Sequence, residues 1–572
     1  MVEAGDLPNV AGYMESPMQT ARHPIFFPSF RSLPSLHSTL MMALLAGTSG
    51  QVFAEPFAFQ PPVPFLPGNL VLSRAVYDNR ADNVTVGTIL PPNCASTQAG
   101  CSGASGATND GTYPAVWNNV LYDSAFGITA KIYLDQVTPL GRTLSTLEVP
   151  HGVSQNGATK GLVTSFSSKS ELALHLSDDK HYLTFMGYAA PVNAIDASNS
   201  NTPAAPDPTN PDGQSFYRAV ARVDALGQFR FTKTNAYSGN NGRAAIRADM
   251  NGKPVYFTVG NAGNGANPQP NGVIIGTGVQ WIDAATSEQD PGTPTPAASF
   301  SITQLGYKAD KIGKDDNYRE LTIFNNVLYV TKGSGGNGVN TVYFVDTTGT
   351  ACPNGMGLPS PSAKLPSAPL SYDASTLQSK GLPTNMCILA GFPSTPNKSA
   401  KTLVYPHALW FADANTLYVA DQGDGYTDAA DLYTHAAAQT SAGLQKWIFD
   451  AAAKQWTLAY TLQAGLDLGV SYQVRGYPEG TNAATGLPWA PATDGLRNFT
   501  GRVAPDGTVT LWAVTATISG NGDVGADPNK LVMVRDILKN TNPAVAARES
   551  FVTLRRAAFG EVLRGIAFTP GS

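Results

Sequence analysis

A four-strand pattern that recurs along the chain constrains its fold more than any other feature. An alternating run at 171–176 leads through the turn residues SDDK into a second β-rich run at 182–186. Alternation with period two around a polar turn predicts an antiparallel hairpin with one buried face. Two further β-rich runs follow at 217–224 and 229–234. The basic unit is therefore predicted to be four consecutive antiparallel strands.

The unit repeats, and its two incomplete copies lie at the ends of the chain. Further leading strands begin near positions 243, 319, 407 and 498, and a single strand of the same kind ends the chain at 564–569. Three strands near the N-terminus, at 69–77, 128–136 and 144–149, lack a leading strand. Pairing the last strand with the first ones closes a ring and removes the open sheet edge, which is the signature of a β-propeller.

We therefore predict an all-β, six-bladed β-propeller over residues 68–572, with four antiparallel strands per blade and the C-terminal strand paired with N-terminal strands. A seventh blade at 347–385 or 463–494 is the alternative. The second full unit is predicted to end on a strand at 299–305, and the third on a weak strand at 386–389.

Composition agrees with this fold and argues against one class of partner. The chain has 56 Gly, 42 Pro and only 14% charged residues, which is typical of many short strands joined by turns. The formal net charge of -5 and the pI of about 5.8 argue against a nucleic-acid partner, which normally requires a basic face. We expect no nucleic-acid partner and a monomer.

The N-terminal 54 residues are interpreted as a signal peptide or targeting segment. Arg22 and Arg31 precede the apolar run LMMALLA at 40–46, and Val52-Phe53-Ala54 offers a cleavage site after Ala54. The apolar run is too short to span a bilayer, and no later window is long enough for a transmembrane helix. Residues 55–67 are Pro-rich and predict a linker. Secretion or a periplasmic location follows; a disordered tail is the alternative.

The four cysteines are compatible with export. Cys94 and Cys101 lie close together in one predicted loop, and Cys352 and Cys387 flank another. An even count in this arrangement suits local disulfides in an oxidising compartment, and the spacings match no zinc pattern. Free buried thiols are the alternative.

Three phrases resemble those of a broad superfamily of secreted bacterial β-propellers that includes six-bladed lactonase-like, NHL-type and YVTN-type proteins. They are GIAFTP at 565–570, NTLYVADQGDG at 415–425 and VAPDGTVTLWAV at 503–514. The resemblance implies the propeller fold over most of the chain. Because such propellers serve as hydrolases, lyases, dehydrogenases and binding scaffolds, it implies no single activity.

The leading strands of a propeller line its central channel, so their first residues should surround one mouth of it. Polar and charged residues recur at this position. They are Glu171, Arg243, Arg319, Glu320, His407, Asn498 and Arg564, joined from neighbouring loops by Lys169, Asn240, Asn241, Asn317 and Arg497.

Arginine dominates this predicted mouth, although the chain as a whole is acidic. A guanidinium presents a rigid fork of donors that matches a carboxylate or phosphate, so a small anionic or saccharide-like ligand is predicted. We assign ligand binding to Arg243, Arg319, Arg497, Arg564, Glu171, Asn241 and Asn498. The alternative is that Arg319 or Arg243 pairs with Glu171 or Glu320 and only holds blades together.

Two residues are candidates for catalysis. His407 is the one histidine of the predicted mouth and would suit acid/base work near neutral pH. Tyr405 precedes the same strand, and a tyrosine beside Arg and His would suit proton abstraction next to a neutralised carboxylate, as in a lyase. A structural role for His407 is the alternative.

A calcium ion is a further possibility that the resemblance implies, because lactonase-like propellers hold a divalent cation at this mouth. Glu171, Asn241 and Asn498 could supply oxygen ligands, although the arginines around them disfavour a dication. The acidic loop from Asp421 to Asp431 lacks the EF-hand spacing and is interpreted as a solvated turn.

The sequence thus favours an exported propeller that binds a small anion or saccharide at an Arg-rich mouth, with hydrolase or lyase activity as its enzymatic form. A non-catalytic scaffold is the competing hypothesis. It would bind a protein or a cell-surface glycan through the long loops at 198–214, 347–385 and 423–443.

Overall fold

The structure is a computed structural model that describes residues 64–88, 128–152, 161–195, 197–205, 214–250, 252–262, 278–284, 292–308, 315, 317–370, 386–483 and 485–572. All of them belong to one unit, Pro61–Ser572. The predicted signal peptide, most of the predicted linker, and Cys94 and Cys101 lie outside the described residues.

The described strands form six sheets, each built on four antiparallel strands, which confirms the six-bladed propeller. Two of the sheets have a short fifth strand, β4 beside β2 and β16 beside β17. The strands of blades 1 to 3 are β1 (Leu70–Val76), β2 (Thr129–Val137), β3 (Thr143–Glu148) and β4 (Thr164–Ser165), then β5 (His175–Leu176), β6 (Tyr182–Tyr188), β7 (Arg218–Asp224) and β8 (Phe229–Thr234), then β9 (Gly242–Met250), β10 (Lys253–Gly260), β11 (Val279–Asp283) and β12 (Pro294–Ala298).

Blades 4 to 6 follow in chain order. Their strands are β13 (Glu320–Phe324), β14 (Val327–Lys332), β15 (Thr341–Val345), β16 (Met356–Gly357) and β17 (Met386–Leu389), then β18 (Pro406–Asp413), β19 (Thr416–Asp421), β20 (Gly443–Asp450) and β21 (Gln455–Leu462), then β22 (Ala492–Val503), β23 (Thr508–Ile518), β24 (Lys530–Ile537) and β25 (Val552–Arg556), and finally β26 (Glu561–Phe568).

Helices are short in the described part of the chain. The α-helices are Leu432–Ala438 and Pro543–Ala546, and the 3-10 helices are Ala81–Asn83, Ile302–Leu305, Asn397–Ser399 and Val524–Ala526. No helix of these residues is long and apolar enough to cross a membrane.

Blade 1 closes the ring in the predicted way. β26 pairs antiparallel with β1, with Leu70 opposite Phe568 and Val76 opposite Glu561. β1 in turn pairs with β2, and β2 with β3. Both ends of the propeller therefore share one sheet, in which β1 is paired on both sides and β26 is the first strand.

The hydrophobic core lies between neighbouring blades. Ile132 of blade 1 and Phe185 of blade 2 belong to one buried apolar cluster, while Phe257, Val330 and Leu417 of blades 3, 4 and 5 belong to another. Each such side chain contributes about 1.5–3 kcal/mol by leaving water, so blade-to-blade packing is a main source of stability.

Two predicted strands differ in the structure. The leading strand of blade 2 covers only His175–Leu176, because Leu172 adopts a positive φ of 64°, which interrupts the extended backbone. The strand expected at 299–305 is replaced by β12 and the 3-10 helix Ile302–Leu305. Ser301 and Gln304 form a capping box at the start of this helix, a signal that the sequence reading missed.

The predicted cysteine pairing is shown for one pair. Cys352 and Cys387 form a disulfide across a sequence separation of 35 residues. Cys387 lies in β17, and β16 pairs with this strand in parallel orientation. The bond therefore ties the long excursion after β15 to the outer strand of blade 4.

Candidate functional site

The first strand of every blade lines the central channel, and these strands all run in the same direction. Residues near their starts therefore meet at one end of the channel. The structure divides the predicted site residues at this end into three sets. The bonded set contains Glu171, Asn241, Arg243 and Arg564; the open mouth contains Lys169, Arg319, Arg497 and Tyr405; and the inner layer contains Glu320, His407 and Asn498.

Glu171 is the acceptor around which the bonded set forms. It is 2% exposed, and Oε2 accepts hydrogen bonds from Thr164 Oγ1 at 2.7 Å and the Ser165 amide at 3.0 Å. Its Oε1 accepts from the Tyr188 hydroxyl and from Asn241 Nδ2. Both carboxylate oxygens are thus occupied by donors of the protein itself.

Arg243 and Arg564 are buried and donate to neighbouring segments. Arg243 donates through Nε to Asn241 Oδ1 at 2.9 Å, and through one terminal nitrogen to the Tyr318 carbonyl at 2.7 Å and to Asn317 Oδ1. Arg564 donates to three backbone carbonyls, those of Phe166, Ser168 and Gly525. Burial lowers the pKa of Arg243 to about 10 and that of Arg564 to about 9.

These contacts differ from the alternative in which Arg243 or Arg319 pairs with Glu171 or Glu320 to hold blades together. Neither Arg243 nor Arg319 forms an ion pair with Glu171 or Glu320 in the described part of the chain. Arg243 and Arg564 instead hold blades together through carbonyl and amide oxygens, and the charge of Glu171 acts on them only from beyond ion-pair distance.

The open mouth surrounds a cavity of about 180 Å³. Its lining includes three cationic side chains, Lys169 and Arg319 from the segments before β5 and β13, and Arg497 from within β22. Tyr405 lines the same cavity, and burial raises the pKa of its hydroxyl to about 12. The cavity is small, polar and reached from one end of the channel.

Arg497 is buried in the open mouth without hydrogen bonds to the described part of the protein. It is 5% exposed, yet its guanidinium donates no hydrogen bond to any described residue, and its Nε is buried without a partner. Burial lowers its pKa to about 10, although Asp494 and Asp527 attract its charge from beyond ion-pair distance. A buried cation without hydrogen bonds is costly, unless a ligand supplies the acceptors.

Arg319 and Lys169 also form few hydrogen bonds to the protein. Arg319 donates one hydrogen bond, to the Ser170 hydroxyl, and its Nε is also buried without a partner. Burial, and after it the charges of Arg243 and Arg497, hold its pKa well below the usual value. Lys169 donates to no described residue, and burial together with Arg497 lowers its pKa to about 8.

Two carboxylates line the same cavity, and the sequence reading missed both as site residues. Asp494 is 2% exposed and accepts hydrogen bonds from the Gly425 amide at 2.9 Å and Gln439 Nε2 at 2.6 Å. Burial, and after it the negative charge of Asp424, raises the pKa of Asp494 to about 7. Asp424 Oδ2 lies 2.6 Å from His435 Nε2 of the helix Leu432–Ala438.

The loop that carries Asp424 is therefore not a simple solvated turn, although its later acids, Asp428 and Asp431, are exposed. Asp421 is fully buried and accepts hydrogen bonds from the amides of Tyr405 and Gly423. Gly423 has a φ of +79°, and a side chain there would overlap the Asp494 carboxylate. The two glycines of DQGDG are the sequence feature that could have predicted this close approach of the loop to Asp494.

The inner layer lies deeper in the channel. Glu320 is 2% exposed, accepts from Asn498 Nδ2, and has His175 Nε2 at 3.1 Å and His407 Nδ1 at 3.5 Å. Burial, opposed by Glu320, lowers the pKa of His407 to about 4, so this ring is neutral at pH 7. Its Nδ1 contacts only Glu320, at 3.5 Å, and its Nε2 is buried without a hydrogen bond to a described residue.

His407 and Tyr405, the two predicted catalytic residues, are therefore placed in different surroundings. Tyr405 lines the open mouth, whereas His407 is buried beside Glu320 and does not line that cavity. No hydrogen bond joins the two side chains in the structure's described residues.

A second, wider cavity of about 750 Å³ lies beyond the inner layer. It is lined by residues of all six leading strands, with the aromatic side chains Phe324, Trp410, Phe411 and Phe499 among them. Glu320 lines this cavity, while its chain neighbour Arg319 lines the open mouth. The two ends of the channel thus differ sharply in chemistry.

The three residues considered for calcium do not fit such a site. The oxygens of Glu171 accept from protein donors, Asn241 Oδ1 accepts from Arg243, and Asn498 Oδ1 accepts from the Ile566 amide. Their lone pairs are used, and a guanidinium lies where a dication would be repelled.

Comparison with known proteins does not assign the chain to a family. No family model and no curated protein matches it. Among solved structures it is similar to a mutant of the Synechocystis apocarotenoid oxygenase (10% identity, 78% of this chain and 59% of that chain, TM-score 0.18) and to the phage phi92 endosialidase (10%, 68% and 51%, TM-score 0.23). It is also similar to extracellular domains 1 and 2 of Drosophila semaphorin 1a (9%, 72% and 72%, TM-score 0.17).

The chain thus spans 59% and 51% of the first two of these structures. At such identities and TM-scores they carry no information about the ligand. The lactonase-like, NHL-type or YVTN-type assignment stays a prediction.

Proposed function

We propose that the protein binds a small anion, such as an organic acid or a uronate, in the open mouth of the propeller channel. The observation that carries the proposal is Arg497, a buried guanidinium that lines the cavity and donates to no described residue. A carboxylate offers this group the two parallel acceptors that its geometry suits.

The neighbours of Arg497 support an anion in the same place. Arg319 and Lys169 line the cavity with it, and neither forms an ion pair with a described carboxylate. The two acids of the lining are held by other donors, Asp494 by Gly425 and Gln439, and Asp424 by His435. Three cations therefore face the cavity with their hydrogen-bonding capacity largely unused.

The volume limits the ligand. At about 180 Å³ the cavity is smaller than the roughly 300–1,000 Å³ typical of sites for drug-sized ligands. A hydroxy acid or a single sugar acid is a better match than an oligosaccharide. The proposal covers binding only, because Tyr405 has no hydrogen-bonded base and His407 lies outside the cavity.

Isothermal titration calorimetry with lactate, citrate, glucuronate and phosphate, and with glucose as the neutral control, tests the proposal. We expect at least one anion to bind and glucose not to bind. Arg497→Met should weaken the binding by about 100-fold, since a hydrogen-bonded charge pair contributes on the order of 2–3 kcal/mol. Arg502→Met is the matched control, because Arg502 lies on the same strand, β22, but is exposed and lines the other cavity.

Equal loss of binding in Arg502→Met would show that the effect is not local to the open mouth. Absence of binding by every anion, or unchanged affinity in Arg497→Met, would overturn the proposal. Thermal unfolding gives an independent readout, because a ligand that binds only the folded protein raises its Tm.

A further inference from the structure

The lining of the open mouth contains both positively and negatively charged side chains, and this combination restricts the class of ligand that can bind there. Lys169, Arg319 and Arg497 provide the cationic part, and Asp424 and Asp494 provide two carboxylates in the same cavity of about 180 Å³. A site built only for an anion would gain nothing from acids in its wall, since each of them repels the ligand.

The two carboxylates are built into the cavity rather than left there by chance contact of exposed side chains. Asp494 is 2% exposed and lies in β22, three positions before Arg497 on the same strand. The backbone of the DQGDG loop closes over it: Gly425 donates its amide to Asp494, and Gly423 leaves no room for a side chain.

The carboxylates do not neutralise the cations. No cation of the mouth comes within ion-pair distance of Asp494 or Asp424 in the described chain, although Asp494 is close enough to act electrostatically on Lys169 and Arg497. Each acid accepts from donors outside the cationic group, namely Gly425, Gln439 and His435. A carboxylate oxygen has more than one acceptor position, so Asp494 and Asp424 can each accept another donor.

We propose that the ligand of the open mouth is a zwitterion of the amino-acid type, with a carboxylate held by Arg497, Arg319 and Lys169 and a protonated amine held by Asp494 and Asp424. This inference rests on the proposed anion binding at the same site and adds the amine. The amine turns the repulsion by the two acids into attraction, so both charged parts of the wall contribute to affinity.

The test compares two ligands that differ in one group. Alanine and lactate share the carboxylate and the methyl group, and alanine carries an ammonium where lactate carries a hydroxyl. Calorimetric titration of the full chain at pH 7.5 with the D and L forms of both is expected to show alanine binding at least about tenfold more tightly than lactate, as charge-assisted hydrogen bonds require.

Variants then locate the amine. Asp494→Asn should reduce the preference for alanine to about twofold or less, and it should tighten lactate binding because a like charge is removed. Asp424→Asn is the second variant and should act in the same direction, which keeps the test decisive if Asp494→Asn fails to fold. Arg497→Met should weaken both ligands.

Lactate binding as tightly as alanine to the unmodified protein would overturn the inference, and so would an alanine preference that survives both aspartate substitutions. In either case Arg497-dependent lactate binding would leave the simpler anion proposal standing. Failure of both ligands and of all other anions would overturn the anion proposal itself.

Discussion

Two arginines at the same end of the channel, Arg564 and Arg497, show how differently one residue type is used. Both are buried, at 4% and 5% exposure, and both lie on the leading strand of a blade. Arg564 donates to three backbone carbonyls, whereas Arg497 donates to no described residue. Burial alone therefore does not separate a structural arginine from one that is available to a ligand.

The other residues of the bonded set and the open mouth differ in the same way, and we call these two groups the bonded side and the open side. On the bonded side, Arg243, Asn241 and Glu171 form a continuous hydrogen-bonded chain. On the open side, Arg319 donates one hydrogen bond to the protein, and Lys169 donates none to a described residue. The bonded side stabilises the ring, and the open side retains the hydrogen-bonding capacity from which we infer ligand binding.

The largest expected effect sharpens this contrast. Arg564→Met should destabilise the fold by about 3 kcal/mol, because three buried carbonyls lose their donor at roughly 1 kcal/mol or more each. Arg497→Met should leave the ligand-free protein equally stable or more stable by about 1 kcal/mol, because it removes an unpaired buried charge. Urea denaturation of both variants measures the difference. Equal destabilisation by the two substitutions would contradict the division.

A smaller effect is expected from pH, and it is specific to the open side. Burial lowers the pKa of Lys169 to about 8, so its charge is lost as the pH rises through 8. Burial raises the pKa of Asp494 to about 7, so a negative charge appears as the pH rises through 7. Both changes weaken the binding of an anion, and lactate itself stays ionised over this whole pH range. Lactate affinity should therefore fall on the order of tenfold between pH 6 and 9.

Calorimetric titrations at unit steps of pH measure this profile. Lys169→Met should remove the step near pH 8 and keep the step near pH 7. A bound anion favours the charged lysine, so the upper step should lie somewhat above 8 in the complex. An affinity that is constant across this range would contradict the assignment of Lys169 and Asp494 to the ligand's surroundings.

The smallest expected effect concerns Tyr405. Tyr405 lines the open mouth, its hydroxyl forms no hydrogen bond to a described residue, and a pKa of about 12 keeps it protonated. Tyr405→Phe should weaken lactate binding by about threefold, as the loss of one neutral hydrogen bond requires, and should leave the Tm unchanged. A large loss of stability would show instead that the hydroxyl is part of the bonded side.

Much of the fold could be predicted from the sequence, because local rules determine it. Alternation and turn residues gave the six four-stranded blades, and the orphan strand at 564–569 gave the ring closure that β26 and β1 form. The errors were also local. The positive φ of Leu172 and the capping box at Ser301 replaced extended backbone where alternation suggested strands.

The sequence also predicted most of the residues that collect at the channel, since leading strands of one direction bring their first residues together, but it missed Asp424 and Asp494. The sequence could not show which of these side chains bond to the protein and which stay available to a ligand. The partners of Arg564 include the Ser168 carbonyl, 396 residues earlier in the chain, and Gly525 of another blade. Asp494 joins the mouth only because the DQGDG loop folds over it.

The sequence by itself therefore determined the architecture and the polar character of the mouth, because strand alternation and turn chemistry act over a few residues. Only the tertiary structure decided which cations are free, because hydrogen bonds between blades depend on segments that are far apart in the chain. The tertiary structure also separated His407 from Tyr405, since Tyr405 precedes β18 and lines the open mouth, whereas His407 lies in β18 beside Glu320.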